Sequence, residues 1–132
     1  MHVILGVGCD RGTPLETLEA AVDQALARAG LGREAVRGLA TIDRKHDEAC
    51  ILMLAARSNW PLHLFSAAEL ARVPVPNPSA TVMKYMGTPA VAEAAALLAA
   101  QAGLDALLVE KHKHRGADGK NATVSIVRTK DE

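Results

Sequence analysis

Three side chains with distinct chemistry stand together near the start of the chain: Cys9, Asp10 and Arg11. A deprotonated thiol is a nucleophile, a carboxylate can transfer protons, and a guanidinium binds carboxylates and phosphates. The three residues follow an apolar run at 3–7, rich in β-branched residues, that predicts a strand. A helix is predicted directly after them. Their position therefore indicates a strand–turn–helix unit with chemically active groups in its turn.

The predicted turn has the composition of an anion-binding loop. Gly8 and Gly12 flank it, and glycine lets the backbone approach a ligand closely because it carries no Cβ. Thr13 and Glu16 predict a capping box at the start of the helix. The free amides and positive dipole end of a helix attract a carboxylate or phosphate, and Arg11 adds a full charge. The alternative is a tight connection that binds no ligand.

Cys9 and Asp10 are the candidates for catalysis, and each has a structural alternative. A cysteine near an arginine at a helix N-terminus can act as a nucleophile. However, Arg11 follows Cys9 too closely for the phosphatase loop, in which the arginine lies further along the helix start, so a buried structural cysteine is favoured. An aspartate at the end of a strand is first of all a cap for the next turn.

Further polar residues follow the other predicted strands. A strand predicted at 36–42 precedes a charged turn with Lys45 and His46, and one at 106–109 precedes a basic, glycine-punctuated connection at 110–121. The carboxyl ends of parallel strands share one edge of a sheet, where open α/β sheets bind ligands. Converging cations predict a ligand with several negative charges; solvated surface loops are the alternative. The predicted ligand-binding residues are Gly8, Cys9, Asp10, Arg11, Gly12, Thr13, Asp43, Lys45, Ser79, Gly87, Thr88, Lys111 and Lys113.

The middle of the chain contributes the last of these candidates. Residues 73–79, with prolines at alternate positions, predict an extended mobile flap, and 81–86 predicts a helical turn. A second Gly-Thr-Pro sequence then precedes an alanine-rich helix at 90–102, ended by Gly103. A helix that is apolar all round is buried or lies in a subunit interface, so self-association through this helix is one expectation.

No metal or cofactor is expected. His112 and His114 would point the same way on an extended segment, but nothing else in the sequence marks a further ligand. Cys9 and Cys50 show neither a disulfide framework nor a zinc-site spacing. Phosphate-binding, nucleophile-elbow and complete dinucleotide-binding motifs are absent from the sequence.

The remaining elements predict the fold class. Strands alternate with helices at 15–29, 49–58 and 66–72, and a short strand is predicted at 62–65. No helix is predicted between the fourth strand and a fifth at 122–129, so the fifth strand is expected to turn back antiparallel. We therefore predict one domain, 1–132, that is a three-layer α/β/α sandwich on a mostly parallel sheet of about five strands.

Composition excludes several classes of partner. Fifteen basic and fifteen acidic residues cancel, and aromatic residues make up 2 % of the 132, so no nucleic-acid surface is expected. Apolar runs are too short to cross a bilayer. Two cysteines and the absence of a leader predict a cytoplasmic protein.

An ordered series of motifs along the whole chain resembles the CobE / CbiG C-terminal domain family. These are Gly6-Val7-Gly8-Cys9-Asp10-Arg11-Gly12-Thr13, Leu39-Ala40-Thr41-Ile42-Asp43-Arg44-Lys45, Asp47-Glu48, Phe65-Ser66-Ala67, Pro78-Ser79 and Val91-Ala92-Glu93-Ala94-Ala95-Ala96. Leu108-Val109 with Lys111 and Lys113 continues the match. Glu110, where a proline is usual, and the enrichment of the following loop in His112, His114 and Arg115 are departures.

The resemblance implies a role in cobalamin biosynthesis. In two-domain members of the family this domain follows another, and the pair hydrolyses the lactone of cobalt-precorrin-5A with release of acetaldehyde. The chain looks like the stand-alone form. A precorrin is a macrocycle fringed with carboxylates, which Arg11, Lys45, Lys84, Lys111 and Lys113 would complement.

Three hypotheses follow. The first is an accessory protein that binds an anionic precorrin or other corrin-ring intermediate at the strand-end edge. The second is a hydrolase of a precorrin lactone that uses Cys9 or Asp10. The third is a structural partner that docks on other cobalamin-biosynthesis enzymes through its alanine-rich helix.

Overall fold

The fold is built on a mixed β-sheet, seen in a computed structural model that describes residues 1–73 and 89–130. In this part of the chain the strands lie in the order β3-β2-β1-β5-β4. Neighbouring pairs among β1, β2 and β3 are parallel, whereas β5 is antiparallel to both β1 and β4. The strands are β1 (Val3–Cys9), β2 (Val36–Ile42), β3 (Leu62–Phe65), β4 (Leu107–Arg115) and β5 (Asn121–Arg128).

This topology confirms the predicted fold class. Strands β1 to β4 point the same way and therefore end at one side of the sheet, which we call the carboxyl edge. Central strand β1 is buried at every position, as is typical of a strand covered by helices on both faces.

Helices cover both faces of the sheet. They are α1 (Leu15–Arg28), α2 (Ala49–Ser58), α3 (Ala67–Ala71) and α4 (Pro89–Ala100). The first two pack on one face, which we call the α1 face, around Leu5, Val7 and Leu39. The other two pack on the opposite α4 face, around Ile4 and Ile42. The result is the expected three-layer sandwich.

Two helix ends agree with the sequence and two do not. Gly30 follows α1 with φ +71°, as is usual for a glycine after a helix, and Ser66 and Glu69 form the capping box at α3 that their Ser-x-x-Glu spacing indicates. Thr13 does not cap α1, because its hydroxyl donates to the Asp10 carbonyl instead. The predicted stop at Gly103 is also wrong. Gln101 has the left-handed φ of +53° that ends α4.

The largest correction concerns β4. The sequence predicted a strand at 106–109 and a loop from 110, but the strand runs on to Arg115 and turns into β5 through a short hairpin. A register shift lies between Val109 and His112. Residues 111–115 alternate between exposed and half-buried because β4 is an edge strand, so their polarity resembles that of a loop. Leu52 of the helix at 49–58 is 41 % exposed, although its residue type favours the core.

The alanine-rich helix α4 packs very closely on the sheet. Ala92, Ala95 and Ala96 are completely buried, and a Cβ added at Gly6 would lie closer than 3.0 Å to the Ala92 carbonyl oxygen. Small side chains on both partners allow this approach. Burial within the chain, one of the two alternatives for this helix, is therefore confirmed; self-association through it stays a prediction.

Other expectations fall outside what the structure describes. The flap from residue 74 onwards, the helical turn at 81–86 and the second Gly-Thr pair at 87–88 lie outside the described residues. Among the described residues, no helix has the length and apolar character needed to cross a membrane.

Candidate functional site

The carboxyl edge gathers strand ends and helix starts. Helices α1 and α2 each begin just after a strand that ends there, at Cys9 and Ile42. Helix α4 is followed by the start of β4 at the opposite edge, so α4 runs against the strands and begins at the carboxyl edge. Amides at helix N-termini favour anions, which makes this edge the natural place for an anionic ligand.

Asp10 holds the β1–α1 turn to β5. Its carboxylate accepts from the Asn121 backbone N–H at 2.8 Å and from the Asn121 amide at 3.3 Å. Its own N–H donates to the Asn121 carbonyl at 3.0 Å, and its carbonyl accepts from Thr13 Oγ1 at 2.6 Å. The hydrogen bonds of Asp10 therefore fix the turn, which is the structural role weighed against catalysis.

Arg11 is already paired within the chain. Its Nη1 lies 2.8 Å from Asp47 Oδ1 and 3.1 Å from Glu48 Oε1, and its Nη2 donates to the Arg44 carbonyl. The guanidinium lowers the pKa of Asp47 through a hydrogen bond and its charge. Two carboxylates thus neutralise the cation that was expected to meet a ligand.

Lys45 also has an internal partner. It ends a 3-10 turn that begins at Asp43, and its Nζ donates to the Cys9 carbonyl at 2.6 Å. Asp43 is exposed at the same edge. The structure thus brings Gly8, Cys9, Asp10, Arg11, Gly12, Thr13, Asp43 and Lys45 to one edge, as the sequence predicted, but gives several of them structural bonds.

A group of three buried side chains lies under this edge on the α1 face, and we call Cys9, Glu48 and Cys50 the thiol cluster. The two sulfurs are 3.8 Å apart, and Glu48 accepts from the Gly12 backbone N–H at 3.0 Å. The pKa of Cys9 is lowered, first because the Cys50 thiol donates to it and then because Lys45 is near. The Cys9 interaction and burial raise the pKa of Cys50.

Glu48 and Cys50 were not predicted as site residues from the sequence. Glu48 is 3 % exposed and stands at the N-cap of α2, with Cys50 in the first turn. The signal in the sequence was the charged turn at 43–48 before a predicted helix. Its last residue, Glu48, lies beside the first β–α turn because the two turns follow neighbouring parallel strands. Cys9, expected to be buried, is 8 % exposed.

A second surface lies on the α4 face, and we call it the glycine face: Gly8, Thr123 and Lys113. Gly8 pairs with Thr123, and Thr123 pairs with Lys113, so the three stand in one row across the sheet. Gly6 faces α4, and side chains alternate along a strand, so Gly8 shares that side. No described atom lies within 4 Å of the position a Gly8 Cβ would take. Gly8 and Thr123 are buried, whereas Lys113 is exposed at the β4 end of the row.

Lys111 and Lys113 lie in strand β4 and not, as predicted, in a loop beyond it. The intervening His112 contacts α1, so the two lysines face the other way, on the side of Gly8. Neither ammonium group forms an ion pair or hydrogen bond with a described residue, in contrast to Arg11 and Lys45. They are cations available to a ligand within the part of the chain that is described.

His112 and His114 both point toward α1, as their spacing predicted, but neither contacts an acidic side chain of a described residue there. His112 Nε2 donates to Gln24 Oε1 at 2.7 Å, and its Nδ1 lies 3.3 Å from Arg28 Nη1. His114 Nδ1 lies 3.3 Å from Gln24 Nε2. Burial, Arg28 and His114 lower the pKa of His112 from its ordinary 6.5.

This pKa shift predicts a pH dependence of stability. Below about pH 6.5 the unfolded chain protonates His112 before the folded chain does, so protons favour unfolding and the free energy of unfolding falls as pH falls. We expect this loss to be smaller in His112→Gln, which keeps a polar side chain without titrating. Urea unfolding between about pH 7.5 and 5.5 measures it. Parallel slopes for variant and parent would contradict the assignment.

Ser79, Lys84, Gly87 and Thr88, the remaining predicted ligand residues, lie outside the described residues. Their part in the site stays a prediction.

Comparison with known proteins identifies the family. The family model described as cobalamin synthesis G C-terminus matches residues 3–127. A crystal structure of CobE, described as a protein from the cobalamin (vitamin B12) biosynthetic pathway, superposes with a TM-score of 0.71 at 31 % identity, covering 98 % of this chain and 93 % of that one. The chain belongs to the cobalamin synthesis G C-terminal family.

Two curated relatives agree. Protein CobE of Sinorhizobium sp is 38 % identical over 109 residues, which are 81 % of this chain and 70 % of that protein. Cobalt-precorrin-5A hydrolase of Priestia megaterium is 34 % identical over 122 residues, 92 % of this chain. The chain spans only 31 % of the hydrolase's length. It is a cobalamin biosynthesis protein of the CobE / CbiG C-terminal type, as the sequence motifs indicated.

Proposed function

We propose that this protein binds a carboxylate-rich precorrin or corrin-ring intermediate on the glycine face and holds it unchanged, as an accessory or carrier protein. The observation that carries the proposal is the pair Lys111 and Lys113. Their charges have no counter-charge among the described residues and stand on the same face as Gly8. The family supplies the pathway, and the hydrolase relative's name supplies the ligand class.

The geometry of the row suits a flat anionic macrocycle. Three adjacent strands about 4.8 Å apart place Lys113 about 10 Å across the sheet from Gly8. A ring lying along this row would then carry its peripheral carboxylates toward the exposed lysines. The N-terminus of α4 begins at the same edge on the same face and favours negative charge.

The hydrolase alternative has less support in this chain. Asp10 uses its carboxylate to bind Asn121, and Cys9 faces the α1 side of the sheet, away from Gly8. The matched hydrolase is also about three times as long as the region shared with this chain. Docking on other pathway enzymes and self-association through α4 remain predictions, as does a cytoplasmic location, which the two free cysteines suit.

The test is an absorption titration with a purified cobalt-free precorrin at low salt, followed by analysis of the products. We expect a saturable spectral change at one ligand per chain and recovery of the intact ligand. Release of acetaldehyde from a lactone-bearing precorrin would establish the hydrolase instead. An unchanged spectrum with every precorrin tried would reject both and leave the docking hypothesis.

A further inference from the structure

The thiol cluster has the donor set of a metal site. Thiolate sulfur selects soft or borderline cations such as Zn²⁺ over Mg²⁺ and Ca²⁺, and a carboxylate is a common additional zinc ligand. One ligand atom from each of Cys9, Glu48 and Cys50 lies within 4.8 Å of the other two. The three residues are 8, 3 and 2 % exposed, so a cation held between them would be largely shielded from bulk solvent.

The sulfur spacing fits tetrahedral coordination. Two thiolates bound to zinc at about 2.3 Å with a tetrahedral angle between them stand about 3.8 Å apart. The observed Cys9–Cys50 sulfur distance is 3.8 Å, whereas a disulfide needs about 2.05 Å. The backbone thus already presents the thiols at the separation that a shared cation requires.

Glu48 provides a second, independent observation. Its Oε2 accepts from the Gly12 N–H, but its Oε1 is buried and accepts no hydrogen bond, although Arg11 Nη1 lies 3.1 Å away. A buried carboxylate oxygen without a hydrogen bond costs stability. A cation bound by the Glu48 carboxylate would give it a further partner beside the Arg11 guanidinium, which would keep its bond to Asp47.

We propose that Cys9, Glu48 and Cys50 bind one thiophilic divalent cation, with Zn²⁺ the best match to the donors. Binding replaces the two thiol protons, which are released to solvent, so two thiolates and a carboxylate surround the cation. Lys45 and Arg11 offset the remaining negative charge. Three protein ligands leave one tetrahedral position for water. The site lies on the α1 face and is independent of ligand binding on the glycine face.

The experiment is a Co²⁺ titration of metal-free protein kept reduced with a phosphine. We expect thiolate-to-cobalt charge-transfer absorption that saturates at one Co²⁺ per chain and disappears when Zn²⁺ displaces the cobalt. In Cys9→Ser, Cys50→Ser and Glu48→Gln we expect Zn²⁺ affinity to fall by at least about 10- to 100-fold. Asp47→Asn, which also contacts Arg11 but supplies no ligand, should bind as the parent does.

Glu48→Gln keeps an oxygen for the Gly12 N–H, so it tests the site even where a serine variant fails to fold. Circular dichroism verifies the fold of each variant. The proposal is overturned by absent charge-transfer absorption in protein with two titratable thiols, or by parental zinc affinity in folded Glu48→Gln. The proposal is equally overturned if Cys9 and Cys50 form a disulfide and the protein binds no metal after that disulfide is reduced.

Discussion

Gly6→Ala is expected to destabilise the protein by roughly 3 kcal/mol or more, lowering Tm by about 10 °C or preventing folding. The new methyl group would collide with the Ala92 carbonyl, which belongs to helix backbone and cannot swing aside. Helix α4 would have to move away from β1 and lose contacts along a completely buried interface. Thermal and urea unfolding of the purified variant measure the loss.

Gly8→Ala is the matched control. It makes the same change two residues along the same strand, where no described atom lies within 4 Å of the new Cβ. Its free energy of unfolding should stay within about 1 kcal/mol of the parent's. A Gly6→Ala protein as stable as Gly8→Ala would show that α4 does not approach β1 as closely as described.

Replacing Lys111 and Lys113 together by alanine is expected to weaken precorrin binding by about 10- to 100-fold. A charge-assisted hydrogen bond contributes about 1.5–3 kcal/mol, and the lower part of this range applies to exposed lysines. Stability should change by no more than about 0.5 kcal/mol per site, because neither ammonium group has a partner among the described residues. Absorption titrations of parent and variant give the ratio of the dissociation constants.

Lys130→Ala is the control for general charge effects, since Lys130 is also exposed but follows β5 at the opposite edge of the sheet. Its affinity should match that of the parent. Added salt should weaken the parent's binding more than the double variant's, because fewer exposed charges remain to be screened. Equal affinities for the double variant and Lys130→Ala would remove the two lysines from the site.

The place of the first strand–turn–helix unit in the fold could be predicted from the sequence. An apolar run ending in glycines fixes the place of β1 and its turn, and parallel-sheet geometry brings the turn after β2 beside it. The sequence could not show which cationic side chains are paired within the chain and which are available to a ligand. Arg11 is neutralised by Asp47 and Glu48, 36 and 37 positions away, and no local pattern records such a pairing.

The prediction that Lys111 and Lys113 lie in a loop was wrong for a different reason. Most positions of an edge strand are exposed or half-buried, so β4 shows histidines and lysines where a central strand shows valines. The thiol cluster was hidden by distance along the chain, since 41 positions separate its cysteines. The helices and strands could mostly be predicted from the sequence, but the side-chain contacts between residues distant along the chain could not.

The most direct test of ligand binding on the glycine face is amide NMR of isotopically labelled protein titrated with an unlabelled, cobalt-free precorrin. We predict the largest shifts at Gly8, Thr123 and Lys113, with Ala106 and Thr129 at the opposite edge unchanged. Shifts confined to the α1 face, around Gln24 and Cys50, with Gly8 unmoved, would contradict it.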